Sequence, residues 1–353
     1  MHRKLSIEYI KAILVITMVL THSFTFVGTL TPGELDSQLY YFLSVLGKLT
    51  IFSGFIFCFG YASYHAYLAK SYETVKPNLI RTAKNQLIGY YLSALLAVVL
   101  LPIPGRTGQK VALSDVWDVL RLQYVAPFSE FLLTYFLISV INLLFFRYIS
   151  AAAQSSKTLI ILGSLSVAST LLIPYDLFID NPLGLLIGSR NYASFPLVQY
   201  LCFYVAGIYF ARFNVTWRWP IAVVSMLGTS AFLLYYNYTG ELPARFPPAT
   251  VWICGSWGIL YGLYLLVSRL VDRGFRSALL LTVGSNTLLF LILSNSFLFA
   301  INGRFKTTPF GALLVGVLIL TACGYIVRIT RKQAPQGAVV AERAVQSRTP
   351  VTS

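Results

Sequence analysis

Three residues near the start of the chain have the types and spacing that chemistry inside a membrane would need: Glu8, Lys11 and His22. They lie in an apolar stretch from Leu5 to Val27. There a charged or titratable side chain is costly unless it faces a protein interior or a wet cavity. On an α-helix, Lys11 and His22 differ by about 20° around the axis and about 16 Å along it, so they share a face. Glu8, three residues before Lys11, is spaced to pair with it. An imidazole at neutral pH is suited to taking a proton from a hydroxyl, and Thr21, Ser23 and Thr25 surround His22 with hydroxyls. Each residue also has a plainer reading. A lysine near a helix end can snorkel to the headgroups, and a histidine near the other end can sit at the interface.

The second apolar stretch carries Lys48 and then Ser53-Gly54. Lys48 should face a bundle interior or cavity. Ser53-Gly54 permits close backbone approach, either beside a substrate or simply between packed helices. His65 falls where an interfacial residue would. The following loop sets Lys76, Arg81 and Lys84 at the membrane surface. Arg81 and Lys84 could hold the phosphates of a soluble donor, or serve only as topology signals or lipid contacts. Glu130 opens the fourth apolar stretch, as a polar cavity residue or as an acid favoured at a helix N-terminus.

Composition dictates what positions these residues. Of 353 residues, 57% are hydrophobic and 11% charged, with a mean hydropathy of +0.71. A soluble domain carries about 25% charged residues and could not hide this much apolar surface. The expected fold is all-α, a polytopic bundle with spans near 5–27, 41–68, 86–103, 129–146, 158–174, 196–211, 220–236, 249–268, 279–300 and 309–327. The opening apolar run is too long for a signal peptide and lacks a small-x-small cleavage site, so it reads as an uncleaved span.

The formal charge of +15 points to topology and away from nucleic acid, because the cations sit between apolar runs. Clusters such as Lys70, Lys76, Arg81 and Lys84, or Arg269, Arg273 and Arg276, fall on one side. Scattered residues, among them Arg106, Lys110, Arg190 and Arg245, fall on the other. The positive-inside rule then gives cytoplasmic N- and C-termini. Residues 1–332 form the membrane domain, and 333–353 read as a disordered cytoplasmic tail. The four cysteines lie in apolar runs with no CxxC spacing, which argues against a disulfide framework or a metal site.

Taken together, these motifs resemble the acyltransferase-3 group of membrane acyltransferases. The first span, SIEYIKAILVITMVLTH, is similar to that family's opening helix: an acidic residue, then Arg or Lys, then ten residues, then His. TIFSGFIF at Thr50–Phe57 resembles its phenylalanine-rich SGF segment, and the stretch around Arg81 its basic lead into the third span. EFLLTYFL, QYLCFYVAGIYFAR, RFPPAT and VGSNTLLFLI resemble later segments. Two departures stand out. A Trp usual in the fourth span is missing, and Asn295 stands where a late His is common.

The resemblance implies transfer of an acyl group, most often acetyl, from cytoplasmic acyl-CoA to a hydroxyl of a sugar, glycan or lipid-linked acceptor. The setting it implies is a bacterial inner membrane, with acyl-CoA as co-substrate and no tightly bound cofactor. On this reading His22 is the base, Lys11 oriented by Glu8 steadies the donor or the polar path, and Arg81 and Lys84 meet donor phosphates. Ser53, Gly54, Lys48 and Glu130 shape the substrate path. A transporter or flippase of amphipathic substrates is the alternative. Such proteins commonly show internal repeats or paired broken helices, and the sequence displays neither.

Overall fold

A computed structural model describes residues 2–29, 35–101, 113–178, 181–190 and 195–333. Among the described residues it is helical throughout, with no named strand. The helices are α1 (His2–Val27), α2 (Leu35–Ser63) running into a π-helical turn (Tyr64–Leu68), α3 (Tyr72–Leu100), α4 (Leu113–Leu120), α5 (Glu130–Leu144), α6 (Phe146–Ala152) and α7 (Ser156–Leu172). They continue with α8 (Gly184–Ile187), α9 (Leu197–Arg212), α10 (Trp219–Thr239), α11 (Thr250–Asp272), α12 (Ala278–Ser285), α13 (Thr287–Ile301) and α14 (Pro309–Gln333).

Six of these helices are long and apolar enough to cross a bilayer, or eight if two bent pairs each count as one span. α7 and α9 are shorter apolar helices of 17 and 16 residues. Large apolar side chains remain exposed along α7, α10 and α14, among them Leu171, Leu172, Val224, Leu234 and Leu318. Such surface has no stable place in water, and helices satisfy their own backbone groups in lipid. The protein is an all-α membrane bundle.

The helices differ from the expected spans in three places. α3 begins at Tyr72, not near 86, so Lys76, Arg81 and Lys84 ride on its first turns and not on a loop. An apolar window misses this extension because its exposed face is polar. The stretch 129–146 is broken: α5 and α6 meet at 93°. The stretch 279–300 is broken as well, with α12 and α13 meeting at 84° at Asn286. Apolar residues run through the first bend, Leu143 to Phe146, so composition gives no sign of it, whereas the second falls at the polar run Gly284-Ser285-Asn286-Thr287. The tail beyond Gln333 lies outside the described residues, as do Arg106 and Lys110.

α1 is the column of the bundle and touches α2, α11, α12, α13 and α14. Its far end is tied to the α13–α14 connection by backbone bonds Thr307 N to Val27 O and Thr29 N to Thr307 O, each 2.8 Å. Near its start the Tyr9 hydroxyl accepts from Ser277 N at 2.7 Å. α2 and α9 cross at two glycines. A Cβ on Gly60 would strike the Tyr204 carbonyl, and one on Gly207 the Phe57 carbonyl. Small residues allow this approach, which is a main source of helix association in lipid.

Buried side-chain pairs join α3, α5 and α9. Ser139 bonds Gln86, and Asn142 Nδ2 donates to the Tyr204 hydroxyl at 2.7 Å. Ser139→Ala strands Gln86 Oε1 in the core, where an unsatisfied polar group costs about 1–3 kcal/mol. The expected result is a lower melting temperature in detergent, with a smaller loss when Gln86→Leu is added. An unchanged melt would show that the pair contributes nothing.

Candidate functional site

A cavity of about 230 Å³ opens at the end of the bundle where α1 terminates. Its polar groups come from four separate parts of the chain: His22 from α1, Lys48 from α2, Glu130 from the start of α5, and Arg245 from the α10–α11 turn. Aromatic rings make up much of the remaining wall.

Each group is held by local structure. His22 lies edge-on to Phe128, with ring centroids 4.8 Å apart and planes at 77°. Phe128 takes a left-handed backbone conformation, φ +66°, which costs a non-glycine residue about 1–3 kcal/mol. It persists because the ring packs on His22, Phe26 and Phe299, and because its carbonyl accepts from Asn295 Nδ2 at 3.3 Å. Glu130 follows directly after Ser129, whose hydroxyl donates to Ala126 O at 2.6 Å. Arg245 rests on two rings, its guanidinium carbon 5.0 Å from the Phe195 centroid and 4.7 Å from that of Phe246. Phe195 in turn stacks on Phe52 at 3.6 Å. The turn carrying Arg245 is closed by Ala249 N to Ala244 O, and pinned by the Tyr175 hydroxyl donating to Pro248 O, both 2.9 Å.

Several polar atoms here have no protein partner. His22 Nδ1, Glu130 Oε2 and Arg245 Nε are buried without a hydrogen bond, and so is Asn295 Oδ1. Asn295 lies near enough to act on His22 as a hydrogen-bonding side chain, yet the two do not close a bond of ordinary geometry. Burial pulls the Arg245 guanidinium below its usual range, while Tyr200 and Glu130 act the other way. It stays cationic at physiological pH. Unsatisfied buried groups are rare in native proteins and call for an explanation such as a ligand.

The other end of α1 is built differently. Lys11 Nζ pairs with Glu8 Oε1 at 2.8 Å, as the spacing predicts. Lys11 lines an open groove of about 440 Å³ at the α12–α13 bend, with Ser285, Asn286 and Thr287. Gly284 allows α12 to press on the Glu8 carbonyl, where a Cβ would collide.

The expected residues thus fall into four groups. His22, Lys48 and Glu130 share the cavity. Glu8 and Lys11 lie together at the opposite end, and Lys11 does not line the His22 cavity. The His22 cavity and the Lys11 groove have no lining residue in common. Leu14 packs on Gly54 of α2, 2.8 Å from where a Cβ would stand. Gly54 is thus a helix-packing contact. Ser53 is buried, with its hydroxyl donating to Leu49 O at 2.9 Å in its own helix. Arg81 and Lys84 are exposed on α3, and Arg81 bonds Asn78 at 2.9 Å. His65 sits in the π-helical turn beside the Tyr61 and Tyr64 rings.

The sequence reading missed Arg245, which it counted as a loop charge, and treated Asn295 only as a departure from a pattern. The signal for Arg245 was its place between Ala244 and Phe246-Pro247-Pro248, an apolar turn too short to solvate it. No protein-family profile matches the chain, and no curated protein matches it. The likeness to the acyltransferase-3 group accordingly rests on its motifs alone.

Proposed function

We propose that this protein is a membrane-bound O-acyltransferase of the acyltransferase-3 kind, moving an acyl group, most simply acetyl, from acyl-CoA to a hydroxyl of a sugar, glycan or lipid-linked acceptor. The observation that carries this reading is His22: an imidazole with an unpartnered buried nitrogen, facing a polar cavity inside an apolar bundle. A general base needs a free nitrogen within reach of a substrate hydroxyl.

In the reaction His22 takes the proton of the acceptor hydroxyl as its oxygen attacks the thioester carbonyl. The new C–O bond forms, the C–S bond breaks, and the proton passes from His22 to the departing CoA thiolate. At the other end, Lys11 with Glu8 steadies the donor, and Arg81 and Lys84 attract its phosphates. CoA carries its thiol on a long flexible arm, suited to bridging the distance between the two ends of α1. The ten apolar helical segments, counting each bent pair once, fit a chain with both termini in the cytoplasm. Donor entry is then from the cytoplasm and the His22 cavity faces outward, as a bacterial inner-membrane enzyme would require.

The two bent helix pairs favour a second reading, a transporter or flippase, since broken helices often build transport sites. Their breaks lie beside Arg147 and beside Lys11, away from the cavity that holds the charged cluster. One experiment separates the readings. Membranes with the protein should release free CoA from acetyl-CoA and yield an ester on cell-surface glycans visible by mass spectrometry. A transporter leaves acetyl-CoA intact, and intact acetyl-CoA across a range of acceptors would sink the acyl-transfer reading.

A further inference from the structure

The charges lining the His22 cavity do not balance. Lys48 and Arg245 bring two cations and Glu130 brings one carboxylate, and among the described residues no other charged side chain lines the wall. Glu130 does not neutralise either cation by a direct bond through Oε2, which is buried and unpartnered. Arg245 Nε is buried and unpartnered too, and the Tyr200 hydroxyl, within electrostatic reach of Arg245, is a further buried atom with no hydrogen bond. A guanidinium set on two aromatic faces keeps its charge while its edge donors stay free for a planar oxyanion. Holding an uncompensated cation in such a place is expensive unless an anion arrives.

The donor does not supply that anion. The reactive end of an acyl-CoA is a neutral thioester on a neutral arm, and its phosphates belong at the opposite end of α1. From this we infer that the acceptor is acidic: it carries a carboxylate or phosphate beside the hydroxyl to be acylated, and Arg245 with Lys48 binds that group. This inference rests on the acyl-transfer reading. The cavity, about 230 Å³, is below the ~300–1,000 Å³ of pockets for drug-sized ligands, so it suits one acidic sugar unit or the phosphate and first sugar of a lipid-linked precursor. Arg245 is the specificity residue. Glu130, which also lines the cavity, would accept from a neighbouring hydroxyl and repel a second acidic group.

The test uses the full-length protein in nanodiscs and isothermal titration calorimetry with three probes: methyl glucuronide, methyl glucoside and a short-chain prenyl phosphate. At least one anionic probe should bind about tenfold or more tightly than the glucoside, the scale of one charge-assisted hydrogen bond. A preference for the glucuronide assigns the anion to a sugar carboxylate; a preference for the prenyl phosphate assigns it to a lipid-linked phosphate. Arg245→Gln and Lys48→Gln should each abolish the preference, and Arg304→Gln, on an exposed turn, should keep it. Thermal melts show whether each variant is folded, and having two cation variants guards against loss of one. Equal binding of all three probes, binding of none, or a preference that survives in folded Arg245→Gln overturns the inference. A preference for anions in a protein that never consumes acetyl-CoA leaves the anion site standing and removes the acyl transfer instead.

Discussion

Replacing His22 with alanine is expected to cut ester formation by about 10²–10⁴-fold, the usual contribution of a positioned general base. The protein should still accumulate in the membrane. His22 makes no hydrogen bond through Nδ1, so the variant strands no protein partner on that nitrogen. Its ring does pack on Phe128, so a modest drop in melting temperature is expected. His22→Gln separates the two effects: it fills more of the space and restores polarity, yet cannot act as a base near neutral pH. The measurement is CoA release and glycan ester per unit of folded protein. Wild-type rates in either variant would remove His22 from the chemistry.

The largest structural effect is expected at the crossing of α2 and α9. Gly60→Val and Gly207→Val each push side-chain carbons into a carbonyl of the facing helix, and no rotamer relieves a clash that begins at Cβ. Overpacking of a core costs about 1–3 kcal/mol when neighbours are side chains that can move; a backbone neighbour cannot move without shifting its helix. Both variants should lose most monodisperse protein on size-exclusion chromatography in mild detergent. Gly262→Val, on α11 with open space around the added carbon, should behave as wild type apart from the small helix-propensity change. Normal yield of Gly60→Val would mean that the helices do not approach this closely.

The bundle was legible in the sequence because the membrane imposes one rule, about twenty apolar residues for each crossing, and the chain obeys it at α1, α2, α10, α11 and α14. The bend at Phe145 was not legible, because Leu143, Leu144, Phe145 and Phe146 keep the stretch apolar through it. The bend at Asn286 left a trace in the polar run Gly284-Ser285-Asn286-Thr287, and Gly284 there lets α12 approach the Glu8 carbonyl. The cavity was half legible. His22, Lys48 and Glu130 stand out as polar residues in apolar stretches. Arg245 does not, because its burial is created by Phe195 and Phe246 and by the stacking of Phe195 on Phe52, rings brought together only by the fold. Helical periodicity correctly put Lys11 and His22 on one face of α1, but a shared face is not a shared cavity. Lys11 lines a groove at the α12–α13 bend and His22 a cavity with α2, α5 and the α10–α11 turn, and only the packing of those elements determines that.

The enclosure of α1 by α11, α12, α13 and α14 has a consequence for biogenesis. A ribosome delivers α1 long before those four helices, so the Glu8–Lys11 pair and His22 must wait, incompletely sheltered, until most of the polypeptide has entered the bilayer. A nascent chain stopped after α10 would hold the imidazole but lack Asn295, the Thr307 clamp and the wall behind Lys11. Competence should therefore appear late and all at once during synthesis, and fragments lacking the final four helices should be prey for membrane quality control and not partially active intermediates.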